Sequence, residues 1–228
     1  MAPRIIISYD DTDNDRDALA LGRLLAYSGA TLSLAYVVHD QESGAAERRR
    51  AEERLEHGAR LIGAPDLPRH VVFNASTGEG LLELATREHA DVVVFGSDYR
   101  TAAGAVIPQT SAQRLLTGGS VAVAIAPADF RSRSSVSIAH IGVLEEDDDD
   151  DAAKATARTL ASALGASVED DDDERVDLLV VGSRKGAPTG RVELSATAGY
   201  AIDTATSPVL VVPSGKPVLF AAPDRSAV

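Results

Sequence analysis

Residues 90–127 and 176–213 align without a gap at a constant offset of 86 positions. Nine pairs are identical, among them Asp91/Asp177, Gly96/Gly182, Ser97/Ser183, Gly104/Gly190, Val106/Val192 and Pro127/Pro213. A repeated supersecondary unit constrains the architecture more than any local propensity does. An earlier stretch repeats at offset 136, pairing Leu24/Leu160, Gly29/Gly165 and Ala30/Ala166 and setting Glu146 opposite Asp10. The drop in offset means that the second copy lacks 50 residues. They correspond to the end of a second strand, the second helix, the third strand and most of the third helix.

Within the first copy, short runs rich in Val and Ile alternate with amphipathic stretches. Ile5–Tyr9, Leu32–Val38, His70–Asn74, Asp91–Phe95 and Val121–Ile125 read as strands. Asp15–Ser28, Ala45–Ile62, Gly80–His89 and Gln109–Leu116 read as the helices between them. Continuous apolar runs suit strands buried on both faces. The alternation predicts an α/β fold: an open parallel five-stranded sheet with helices on both faces. A complete domain is expected over residues 1–128 and the trimmed copy over 136–216. That copy keeps Ser137–Leu144, Asp177–Val181 and Val209–Val212 as strands, and Asp151–Leu164 and one further segment as helices. A tail follows over 217–228, whose apolar Val218–Ala222 either docks on the body or adds an edge strand.

The net charge is −13, and the only basic cluster, Arg48-Arg49-Arg50, is followed by Glu52 and Glu53. That excludes the phosphate-neutralising patch of a nucleic-acid binder. The acidic runs Glu145–Asp151 and Glu169–Glu174 read as solvated loops, without the glycine turn of a calcium loop. With no cysteine, thiol nucleophiles and thiolate metal sites are ruled out. No apolar run has membrane-spanning length, and the N-terminus lacks the pattern of a signal peptide. A cytoplasmic protein without membrane or nucleic-acid partners is expected.

Ligands of doubly wound sheets lie beyond the carboxyl ends of the strands. Two segments qualify: the turn Ser8–Thr12, and the loop from Gly96 and Ser97 through Thr110 and Ser111. The acids of the turn serve equally well as N-caps of the next helix. Gly78-Glu79-Gly80 begins like a dinucleotide fingerprint but continues to Glu83 where small residues are needed. The five histidines show no metal-ligand spacing, and no activated nucleophile or acid–base pair stands out, so no catalytic residue and no metal site are assigned.

These segments carry a resemblance. The first copy resembles the universal stress protein family in its strand ending Tyr9-Asp10, its Tyr36-Val37-Val38, its Ser76-x-Gly78 and the stretch Asp91–Ser97 through Gln113–Leu116 to Pro127. The second copy is similar from Asp177 to Arg184 and from Ser207 to Pro213. The resemblance implies a Rossmann-like, adenine-nucleotide α-hydrolase-like fold in tandem. It further implies last strands that meet antiparallel within one chain, mimicking a dimer, with homodimers and unknown protein partners also in prospect. Members that bind ATP carry Gly-x2-Gly-x9-Gly followed by Ser or Thr. Here those positions hold Gly96, Tyr99, Gln109 and Thr110, and in the second copy Gly182, Lys185, Ser195 and Ala196. Tyr99 and Gln109 are expected to crowd the phosphate space. The family's adenine contacts map onto Asp10 and Val37.

The expectation is therefore a stress-response module without strong catalysis, acting through partners or a small ligand. The alternative is a sensor binding ATP or another adenine nucleotide in the first copy only, with slow hydrolysis. The implied ligand contacts are Asp10, Val37, Gly96, Ser97, Thr110 and Ser111; ATP is the only cofactor in view.

Overall fold

The structure is a computed structural model that describes residues 2–39, 44–133, 137–147, 149–169 and 176–221. Strands β1 (Arg4–Ser8), β2 (Thr31–Val38), β3 (Arg69–Phe73), β4 (Val92–Gly96) and β5 (Ala122–Ala126) are joined by helices α1 (Asp13–Ala26), α2 (Ala45–Leu61), α3 (Thr77–Glu88) and α4 (Thr110–Leu116). The second half contributes β6 (His140–Leu144), α5 (Ala152–Leu164), β7 (Ser167–Glu169), β8 (Leu178–Val181), α6 (Ala196–Thr204) and β9 (Val209–Val211). All strands belong to one sheet of order β3-β2-β1-β4-β5-β9-β8-β6-β7. The first five run parallel, in the order a doubly wound half requires. The order β7-β6-β8-β9 copies β2-β1-β4-β5, and all three of its pairings are parallel.

The halves join through the antiparallel pair β5–β9, in register Val123↔Val211, Ala124↔Leu210 and Ile125↔Val209. Period-two alternation sends successive residues to opposite cores. On one face Ile5, Ile7, Val94, Ala124 and Leu210 pack under α1, α2 and α5. On the other Ile6, Val93, Phe95, Ile125 and Val211 pack under α3, α4 and α6. Both cores run without interruption across the seam.

Two readings of the sequence need correction, and one choice it left open is decided. The second half holds a short strand, β7, that its polar residues concealed; among the described residues it pairs with β6 over Ser167–Glu169. α3 starts at Thr77, capped by the Ser76 hydroxyl, because Gly78 and Gly80 lie inside its first turns. Those glycines permit close packing: a Cβ on Gly78 would meet the Arg114 side chain at 2.7 Å, and one on Gly80 would meet Asn74 at 3.0 Å. Of the two placements expected for the apolar tail, docking is the one taken by its described residues, which end at Ala221. Val218 and Phe220 are buried, and the Val218 N–H donates to the buried Thr156 hydroxyl at 2.9 Å. The acidic run over 170–174 lies outside the described residues. Among the described residues, no helix is long and apolar enough to cross a membrane.

A core shared across the seam makes the two halves one cooperative unit. Urea unfolding followed by circular dichroism and by tyrosine fluorescence is expected to give a single coincident transition. Leu210→Ala, at a fully buried position of β9, should lower stability by about 2–5 kcal/mol without splitting it. Two separated transitions would refute the shared core.

Candidate functional site

β1 leaves the sheet at Tyr9, and its register with β2 ends at Ser8↔Ala35. The Tyr9 N–H still bonds the Ala35 carbonyl at 2.9 Å, while β2 continues to Val38 against β3. Alternation along β2 therefore turns the Val37 N–H and C=O toward the side that β1 has vacated. A crevice opens there. Its inner cavity of about 120 Å³ is lined by Tyr9, Asp10, Tyr36, Val37 and Ser111, among others. A wider outer cavity of about 470 Å³ is lined by Ser76, Thr77, Asp98, Thr110 and Arg114. His39, Thr77, Gln109 and Ser111 line both, so the two cavities form one crevice.

The turn after β1 is held by its own side chains. Thr12 caps α1 and forms a reciprocal capping box with Asp15. The Asp15 carboxylate also accepts from the Asp10 N–H at 2.9 Å and the Thr12 N–H at 3.1 Å. Burial raises the Asp15 pKa, and these hydrogen bonds oppose the rise. Asp10 projects from the turn, accepts from Arg54 of α2 at 2.8 Å, and also has a raised pKa through burial, opposed by Arg54 and His39. Arg54 in turn covers the Tyr36 ring, 4.7 Å from its centroid. Arg114 pairs with Glu79 at 2.5 Å. The crevice thus offers carboxylates and hydroxyls, while both of its arginines are already engaged.

Of the residues expected at a ligand site, Asp10, Val37, Thr110 and Ser111 come together. Gly96 and Ser97 do not. A Cβ on Gly96 would meet the Asn14 carbonyl oxygen at 2.0 Å, so the glycine lets the first turn of α1 close on β4. Ser97 is buried; its hydroxyl donates to the Ala126 carbonyl at 2.7 Å and accepts the Ile107 N–H at 3.3 Å. Ser183 repeats this clamp, donating to the Val212 carbonyl at 2.9 Å and accepting the Glu193 N–H at 3.4 Å. Gly104 and Gly190 occupy matching left-handed positions, with φ of +85° and +75°. Tyr99 lines neither cavity; it is 71% exposed with Arg100 over its ring. Gln109 does stand in the crevice. His39, which its place at the end of the second strand put either near the crevice or in a solvated loop, lines the crevice. Thr77 and Arg114 as lining residues and Arg54 as the partner of Asp10 were missed by sequence reasoning. His39 is bracketed by the Ala75 carbonyl and the Thr77 hydroxyl, each 3.3 Å from a ring nitrogen. Asp40, beside it in sequence, lies outside the described residues.

No protein-family model matches the chain, and no curated protein does. Solved structures do. A universal stress protein from Archaeoglobus fulgidus DSM 4304 superposes with a TM-score of 0.57 at 16% identity, over 92% of this chain and 98% of its own. A functionally unknown protein from Pseudomonas aeruginosa PAO1 reaches 0.63 at 13% identity, over 94% of this chain and 93% of its own. This chain has the universal stress protein fold. At these identities the likeness speaks for the backbone, and the universal stress fold places the crevice just described at the usual ligand position of a doubly wound sheet.

The repeat-equivalent glycines separate cleanly. Gly96→Ala should destabilise by about 1–3 kcal/mol or more, because backbone occupies the space of the new Cβ. Gly182→Ala, whose Cβ would find its nearest neighbour at 3.5 Å, should change stability by less than about 0.5 kcal/mol. Comparable urea midpoints for the two variants would refute the assignment.

A second outcome concerns Asp15. Its raised pKa means the folded state binds the proton more tightly than the unfolded state. The stability it contributes is present below the ordinary carboxylate pKa and is lost as pH rises through the folded value. Asp15→Asn keeps an acceptor and removes the charge. Its stability relative to the parent should therefore increase from pH 4 to pH 7 in urea titrations; a constant difference would contradict the burial effect.

Proposed function

We propose that this protein is a stress-response module of the universal stress type that holds a small ligand in the first half without turning it over. The ligand class favoured is an adenine nucleoside or nucleotide. The observation that carries this reading is the vacated edge of β2 at Val37. There a backbone donor and acceptor lie side by side in the inner cavity, and a purine edge offers the complementary pair. Asp10 at the same cavity supplies an acceptor for ligand hydroxyl or amino groups. The Thr77, Thr110 and Ser111 hydroxyls of the outer cavity supply further partners.

Catalysis is not part of the reading. Arg114 is tied to Glu79, and Asp98 lines the same outer cavity, an arrangement ill suited to gathering the charge of a reacting polyphosphate. Gln109 replaces the glycine that would let backbone N–H groups close on phosphate. Signalling then passes through protein partners that sense the occupied crevice.

Two assays test this. The protein, purified without added nucleotide and then denatured, is expected to release an adenine compound detectable by mass spectrometry. Calorimetric titration with adenosine, AMP and ATP is expected to show one site per chain for at least one of them. Asp10→Ala should weaken that binding about tenfold or more, or about 1.4 kcal/mol. Phosphate release from ATP should stay at the uncatalysed rate. Protein that releases nothing and gives flat titrations with all three would overturn the ligand assignment.

A further inference from the structure

A groove on the α3–α4–α6 face of the sheet has no part in that reading. Its cavity of about 400 Å³ lies across the β5–β9 seam, lined from α4 by Gln113, Leu116 and Thr117 and from α6 by Gly199, Ile202 and Asp203. At the offset of 86 positions these are one set of positions used twice: Gln113/Gly199, Leu116/Ile202 and Thr117/Asp203. The groove therefore sits on the pseudo-two-fold axis relating the halves. Between identical copies each pair would be one residue twice. Here the pairs have diverged, and each difference has a chemical consequence.

Leu116 and Ile202 keep the floor apolar, both nearly inaccessible beneath the opening. Gly199 lies inside α6, where glycine weakens a helix. Crowding does not demand it, since a Cβ there would meet nothing within 4 Å. What the missing side chain does is keep the groove open opposite Gln113. Asp203 stands in the last turn of α6, where the helix dipole disfavours an acid and no basic residue accompanies it. Among the described residues, its carboxylate has no ion-pair or hydrogen-bond partner. The other two charges in the lining cancel, because Arg184 pairs with Glu193 at 2.5 Å. An apolar floor thus lies beside one carboxylate without an ion-pair partner, with the Arg191 guanidinium at the margin donating to the carbonyl of the lining Gly118 at 3.0 Å.

We propose that this groove is a second ligand site, for a small amphipathic cation. Its apolar body lies over Leu116 and Ile202, and its ammonium group pairs with Asp203. A cavity of about 400 Å³ falls within the range of roughly 300–1,000 Å³ that holds compact organic ligands. The site is separate from the crevice at Asp10 and stands whether or not that crevice binds nucleotide.

The test is calorimetric titration of the whole protein with 4-phenylbutylamine at neutral pH and low salt. The neutral 4-phenylbutanol and the anionic 4-phenylbutyrate serve as comparators. The amine is expected to bind at one per chain, the alcohol about tenfold more weakly or less, and the acid not at all. Asp203→Asn should weaken the amine about tenfold and leave the alcohol unchanged. Gly199→Leu should abolish amine binding while the melting temperature holds or rises, since it fills the groove and improves the helix. Asp10→Ala should leave amine binding intact. The proposal is overturned if the amine does not bind, if it binds no better than the alcohol, or if Asp203→Asn and Gly199→Leu leave its affinity unchanged.

Discussion

A strand buried on both faces cannot leave an edge without hydrogen-bond partners, and β5 is such a strand. All five of its residues are inaccessible, and β4 satisfies only one side of it. Pairing with β9 satisfies the other side, and the rest of the molecule follows from that choice. An antiparallel partner reverses the direction of the second half, so α4 and α6 come to the same face. It also carries both cores across the seam, which leaves neither half a separate hydrophobic interior. The cost of a short second half is thereby lowered. Without counterparts of α2, β3 and α3 among its described residues, that half would bury little apolar surface alone, yet on β5 it needs to complete only one side of a core.

The conserved offset between the halves acquires a physical meaning from the loops after β4 and β8. Ser97 and Ser183 each tie the end of one strand to the end of its neighbour and hold the returning loop through a second bond. Gly104 and Gly190 take left-handed conformations whose N–H groups bond the Ala128 and Ser214 carbonyls. Val106 and Val192 are fully buried under those loops. Several of the identities that make the repeat visible therefore describe a loop clamp. They say how two parallel strands and a short helix are fastened, and little about what a ligand would meet. Gly96, which reads equally as a phosphate glycine, is explained by the approach of Asn14.

The alternation of strands and helices was legible because the core strands are continuous apolar runs, and such runs report burial directly. β7 was not legible, since Ser167, Val168 and Glu169 lie at a sheet edge where no side chain need be apolar. In the crevice, Asp10, Thr110 and Ser111 were legible through position, each standing at a strand end or a helix start, while Val37 entered only through the family resemblance. Arg54 and Arg114 were not legible. Each reaches the crevice from a helix surface, paired with an acid far away in sequence: Arg54 with Asp10, Arg114 with Glu79. Pairings over such separations leave no periodic trace. Tyr99 misled for the opposite reason. Its position in a motif suggested an obstruction, but the loop turns its ring outward, where Arg100 covers it.

Joining two similar halves in one chain also removes a constraint that a dimer of identical chains cannot escape. In such a dimer every substitution near the axis appears twice, so a charge placed at the axis faces its own copy, and like charges at short range repel. In this chain Thr117 can stay neutral while its equivalent becomes Asp203, and Gln113 can stay long while its equivalent becomes Gly199. The groove on the axis is polarised as a result, with its charge on the α6 wall and its neutral polar groups on the α4 wall. The same freedom separates the two halves at their strand ends. The first keeps a full β2 and with it the vacated edge at Val37, while its counterpart β7 is described over Ser167–Glu169. One half can then specialise in holding a ligand while the other completes the core that holds β5 in place.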